Sequence, residues 1–127
     1  MQYGGTGATS LEGLGGSSAP DIRSGSSYLI VGDIVICWGQ AYIASFRAPT
    51  AFTISFASYL PSGVSFASAP GLTVTPMWMN NPSGTAVVSA MIRSVGTASA
   101  TCYGLCSSSS TALGSMYFDW IAIGKKA

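Results

Sequence analysis

The chain has 127 residues, of which 48% are hydrophobic and only 7% charged, with a net charge of +1 and no histidine. That length supports one domain with a core of its own and is short for two. No basic cluster is present to meet nucleic acid, and without histidine the commonest general base and metal ligand is missing.

Residues 1–26 are rich in Gly, Ser and Thr ("GGTGATSLEGLGGSS", then "APDIRSGSS") and have little to bury by themselves. They read as a linker, or as chain wound around neighbours, with a short helical turn near "TSLEGL". "MQYGGTGATSLEGL" has neither the basic start nor the apolar centre of a signal peptide. It reads as the opening of a segment cut from a longer chain.

From residue 27 the texture changes, and residues 27–127 read as one β domain. "YLIVGDIVICWGQAYIA" is β-branched and aromatic, with Gly32 and Gly39 expected at bends or bulges. Its most apolar part, "YLIVGDIVICWG", is shorter than a membrane span and contains Asp33, so no membrane insertion is expected. In "TAFTISFAS", Phe52, Ile54 and Phe56 alternate with Thr53, Ser55 and Ala57, a strand with one buried face. "YLPSGVSF" carries a Pro-Ser-Gly turn. "GLTVTPMWM" is a further strand, in which Pro76 marks an edge or a bulge. "NNPSGT" is a turn, "AVVSAMIRSV" alternates weakly, "SATCYGLC" is short, and "SSSSTALG" is a loop. Six or seven strands at about ten-residue spacing indicate an all-β sandwich or barrel.

The last segment, "SMYFDWIAIG" (115–124), is apolar on both sides of a strand. Phe118, Trp120 and Ala122 are expected in the core. Tyr117, Ile121 and Ile123 are expected to face a neighbouring chain, with the reversed assignment of the two faces as the alternative. Asp119, the exception on that face, is expected to meet an arginine. A chain whose only charges between Ile34 and Phe118 are Arg47 and Arg93 needs such an outlet, because soluble domains usually carry about a quarter charged residues.

Catalytic chemistry finds little footing. Ser-His-Asp and Cys-His machinery cannot be assembled from one chain without histidine. Cys37, Cys102 and Cys106 give three ligands where a structural zinc site needs about four. An odd cysteine count argues against a disulfide framework. Cys102 and Cys106 would meet only if the strand bent at Gly104, and free thiols in a protein assembled in the cytosol are the reading taken. Asp33 and Asp119 are the one carboxylate pair a hydrolase could use, and both are expected to be structural. "GGTGAT" lacks the lysine and the preceding strand of a phosphate loop. No catalytic residue, cofactor or metal is expected.

Recognition chemistry is better represented. Trp78 stands beside a turn carrying Asn80 and Asn81, and aromatic faces with side-chain amides are what a saccharide site uses. The competing reading places Trp78 in the core and leaves the asparagines to shape the turn. Tyr59 and Tyr103, near other loops, join the candidate receptor-binding set.

Several segments resemble bacteriophage tail-fibre distal domains in order and spacing. "GGTGATSLEGL" resembles the linking segment that precedes a new fibre domain. "GDIVICWGQ" resembles the first strand, "FTISFASYLPSGVSF" and "LTVTPMWM" the next two, and "YFDWIAIG" the closing strand with its "WIAIG"-type ending. The resemblance runs almost end to end. It implies a small antiparallel sandwich similar to H-type lectins, assembled as a homotrimer at the tip of a virion's tail fibre. Residues 1–26 would then come from the fibre shaft, and the tip would hold the virion on a host-cell surface glycan or protein. "NNPSGT" and "CYGLCSSSSTALGS" depart from that pattern, and receptor choice resides in such loops. A structural trimerisation or capping domain without receptor contact is the alternative. A tailspike-like glycan hydrolase is a third reading, disfavoured by the missing histidine and few carboxylates.

Overall fold

The computed structural model describes residues 20–43, 49–79, 88–106 and 115–127. Among these residues the chain forms β1 (Ile22–Ser24), β2 (Tyr28–Val31), β3 (Ile34–Ile43), β4 (Thr50–Ser55), β5 (Gly71–Met79), β6 (Val88–Val95), β7 (Ser99–Cys106) and β8 (Met116–Lys125). One 3-10 turn, Phe56–Tyr59, follows β4. The strands build a five-stranded sheet in the order β1-β2-β3-β8-β5 and a three-stranded sheet in the order β4-β7-β6, with every pairing antiparallel.

Eight strands replace the six or seven expected. One addition is a hairpin inside "YLIVGDIVIC": Gly32 at φ +61° turns the chain in two residues, so that Val31 faces Ile34. The other is β1, three residues of the Ser/Gly-rich segment that pair with β2 ahead of the expected boundary at residue 26. Pro76 sits on the edge strand β5 at a register shift against β8, where a missing N–H is tolerated. In "LPSGV", Gly63 at φ +83° completes a turn closed by Val64 N donating to Pro61 O at 3.1 Å.

β8 occupies the interior of its sheet, paired along its length with β3 and over most of it with β5. Met116, Phe118, Trp120 and Ala122 are buried on one face. Trp120 and Ala122 join Ile54, Phe56, Ala100 and Cys102 of the opposing layer in one cluster, and Met116 and Phe118 form a second with Ile43. Phe52 stacks on Phe118 with ring centroids 4.8 Å apart, and Phe56 packs edge-on to Phe66 at 5.4 Å. Gly39, opposite Trp120, is not a bend. A Cβ there would lie 2.5 Å from Tyr59 Cε1 and 2.9 Å from Trp120 Cζ2, so the missing side chain is what lets these two rings meet over the strand.

The registers give the sandwich two distinct ends. At the entry end lie Asp21, the Gly32–Asp33 turn, the β6–β7 hairpin and the last residues. Lys126 N donates to Asp33 O, Gly32 N to Asp21 O, and Ala127 N to Ser65 O. At the far end lie Ile43, Met79 and Met116 of one sheet and Thr50, Val88 and Cys106 of the other. Val88 and Ala90 pack on the Ile43–Met116–Phe118 cluster, which joins these two sheet ends. The strand ends that flank residues 44–48, 80–87 and 107–114 therefore all lie opposite the point where the chain enters.

Candidate functional site

Directly opposed residues of antiparallel strands share a face, so the outer side of the five-stranded sheet can be read row by row. Nearest the entry end are Ile22, Val31, Ile34 and Lys125. Next come Ser24, Leu29, Ile36, Ile123 and Gly71, then Trp38, Ile121 and Thr73. Ile121 and Ile123 keep 39% and 47% of their surface exposed, and Ile22, Val31, Ile34 and Trp38 are exposed beside them. Together they present on the order of 500 Å² of surface, the size of the largest apolar patch on a typical monomer, which is often functional.

Toward the far end the same face changes character. Gln40, Asp119 and Thr75 form one row, and Gln40 Nε2 donates to Asp119 Oδ1 at 2.9 Å. Asp119 thus meets an amide rather than the arginine expected. Its strand neighbour is fixed by register, and no arginine stands opposite it. Tyr42 and Tyr117 follow, with ring centroids 4.9 Å apart and planes tilted by 45°. Past the bulge, Trp78 is in backbone register with Tyr117; its side chain lies outside the described part.

Of the residues expected to bind a receptor, Tyr59 and Tyr103 can be placed, and they belong to different parts of the sandwich. Asn80 and Asn81 lie outside the described residues. Tyr59 is half-buried, edge-on to Trp120 at 4.8 Å, and its carbonyl accepts from Ser27 Oγ at 2.9 Å. It serves the packing between the layers. Tyr103 lies on the outer side of the three-stranded sheet between Ala51 and Met91, with the Arg93 guanidinium 5.9 Å from its ring centroid. Tyr42 and Gln40 were not singled out by sequence. The alternation Ile34, Ile36, Trp38, Gln40, Tyr42 would have put them on one face with Ile121 and Asp119, once the pairing of β3 with β8 was known.

Other groups with chemistry are committed elsewhere. Asp21 accepts from Arg23 at 2.9 Å and from Lys126 at 2.8 Å, tying the entering chain to its last residues. Hydrogen bonds from Arg23 and then Lys126 hold its carboxyl well below the usual carboxylate range. Burial pushes the Cys37 thiol up to about 11 and raises that of Cys102, so both are poor nucleophiles at neutral pH. β7 runs unbroken through Gly104, which leaves Cys102 a free buried thiol; the Cys106 side chain lies outside the described part. Asp33 precedes Ile34, the partner of Lys125, whereas Asp119 is six residues up β8, about 20 Å away. That is too far for paired carboxylates to flank one bond. A hollow of about 130 Å³ at the entry end, lined by Phe56, Leu60, Val64, Phe66 and Thr97 among others, is walled mainly by apolar groups.

No family model matches the chain, and no curated protein matches it. Solved structures do. The R1 pyocin fibre of P. aeruginosa matches 95% of this chain at 18% identity with a TM-score of 0.61. The R2 pyocin fibre of P. aeruginosa matches 95% at 17% identity and 0.57, and an N-truncated R2-type pyocin tail fibre 95% at 18% and 0.58. The chain spans 33%, 31% and 45% of those three chains, respectively, so it corresponds to less than half of each. At this identity what is shared is the fold.

Proposed function

We propose that this chain is the non-enzymatic receptor-binding tip of a tail fibre on a virion or a related tail-like particle, acting as a homotrimer that attaches to a host-cell surface glycan or protein. The observation that carries the reading is the polarity of the fold. The chain enters and finishes at one end of the sandwich, and the strand ends flanking three connecting segments lie at the other. A domain held by one end on a shaft presents its opposite connections outward, and recognition residues concentrate on connections carried by a rigid scaffold. The shared fold with pyocin fibres points the same way.

The homotrimer reading rests on the outer face of the five-stranded sheet. Ile121 and Ile123 stand in its middle rows and Tyr117 at its far rim. Three copies around an axis would give each protomer a place to cover this apolar surface. The receptor contact is assigned to the far end, where Trp78 and Met79 end β5 and Asn80 and Asn81 follow. Weak contacts repeated over three protomers and several fibres would give adhesion by avidity.

The exposed apolar face also favours a second reading, a trimerisation or capping domain with no receptor contact of its own. Flow cytometry of the labelled domain on a panel of bacterial cells separates the two. Saturable binding to a subset of strains supports the tip. A well-assembled trimer that binds none of them supports the cap.

A further inference from the structure

We infer that the far half of the outer sheet face, Tyr42 and Tyr117 with the Gln40–Asp119 pair and Thr75, is a saccharide-binding site; the inference rests on the receptor-binding reading and names its ligand class. Three observations meet there. Tyr42 leaves 54% of its surface exposed beside Tyr117, a two-ring platform on the paired strands β3 and β8 rather than on a loop. Stacking on the apolar face of a pyranose asks for such an exposed ring. One row away, Gln40 and Asp119 are joined at 2.9 Å, so their planar groups are held side by side. Asp119 Oδ2 has no partner among the described residues. A carboxylate with an adjacent amide and the Thr75 hydroxyl offers donors and acceptors to neighbouring sugar hydroxyls.

The third observation is the change of character along the face. If the whole face were covered by a second copy, the Asp119 carboxylate would be taken out of water against an apolar surface without a cationic partner, at high cost. The three rows from Ile22 to Trp38 and Ile121 carry no such group apart from Lys125 at their rim. The seam therefore suits the entry half, with Ile121 and Ile123, and the ligand the far half, which assigns Tyr117 to the ligand rather than to the seam. Polyhydroxyl ligands fit best where an aromatic platform borders fixed polar groups, and the face has both within two adjacent rows.

The test uses the full chain, as purified, on an array of bacterial O-antigen and capsular polysaccharides, with the same protein added to cells. Binding to a subset of the polysaccharides is expected. Tyr42→Ala and Gln40→Ala should each weaken it by about tenfold, and Tyr42→Phe, which keeps the ring, by less than about threefold. Both side chains are exposed, so melting temperature and sedimentation should not change. Wild-type affinity in Tyr42→Ala and Gln40→Ala would overturn the inference. So would loss of the assembled state in Tyr42→Ala, which would make the far rows part of the seam. Binding to cells that is abolished by protease treatment of those cells, with no polysaccharide bound, overturns the saccharide inference and leaves the receptor-binding reading standing. Binding to neither cells nor array removes both.

Discussion

A charge at Ile121 separates assembly from folding. Ile121 is on β8 between Trp38 and Thr73, its side chain on the outer face and 39% exposed in the single chain. Covering that remaining surface, about 70 Å², is worth roughly 2 kcal/mol per protomer and some 5 kcal/mol over a trimer. Ile121→Asp forfeits this and sets a carboxylate into an apolar seam, at several kcal/mol more per ion. Within the protomer the cost is smaller. Asp fits a central strand poorly by about 1 kcal/mol, which lowers the melting temperature by roughly 5 °C. Sedimentation velocity at micromolar concentration should show the wild type at three times the chain mass and Ile121→Asp at one. Circular dichroism should show both folded. Thr53→Asp, exposed on the outer side of the other sheet, is the control and should stay trimeric. A trimeric Ile121→Asp, or a monomeric wild type, refutes the reasoning.

Gly39→Ala should destabilise the fold by about 1–3 kcal/mol in urea unfolding, because the new Cβ meets both Tyr59 and Trp120. In a Tyr59→Ala background the same substitution should cost less, and additive costs would show that Tyr59 does not rest on Gly39. Cys37 and Cys102 should resist thiol reagents at pH 8 in a Cys106→Ser variant and react as soon as the chain unfolds, since burial raises both thiols; rapid native labelling would contradict their placement. Asp21 titrates lower when folded than the ordinary value of 3.8, so its contribution to stability is present above that pH and is lost as pH falls below it. Thermal melts should therefore fall less between neutral and acid pH for Asp21→Asn than for the wild type, and added salt should narrow the gap; identical pH profiles would mean the clasp with Arg23 and Lys126 does not hold in solution.

Legibility followed the range of the forces involved. β8 was readable from its own residues, because period-two alternation with Phe118, Trp120 and Ala122 on one side is a local consequence of facing a core. Pro76 was readable for the same reason: a residue without an N–H is confined to an edge or a bulge, and it occupies both. Gly39 was misread as a bend because its need arises from Tyr59 and Trp120, distant in sequence and brought over it by the fold. β1 gave no signal: Ile22, Arg23 and Ser24 are exposed, and their order comes from the partner strand β2. The same holds for Asp119, whose partner Gln40 is 79 positions away and is chosen by register rather than by charge. Tyr59 and Tyr103 were grouped because both lie near loops in the chain, yet one packs between the layers and the other lies on an outer face.

The most direct measurement is the adsorption of the labelled, purified chain to bacterial cells, read as a saturation curve beside that of the Ile121→Asp monomer. A receptor-binding trimeric tip gives saturable binding to particular strains, competition by the unlabelled chain, and a large loss of apparent affinity in the monomer as avidity disappears. Absence of saturable binding to every strain in the panel by a correctly assembled trimer would contradict it.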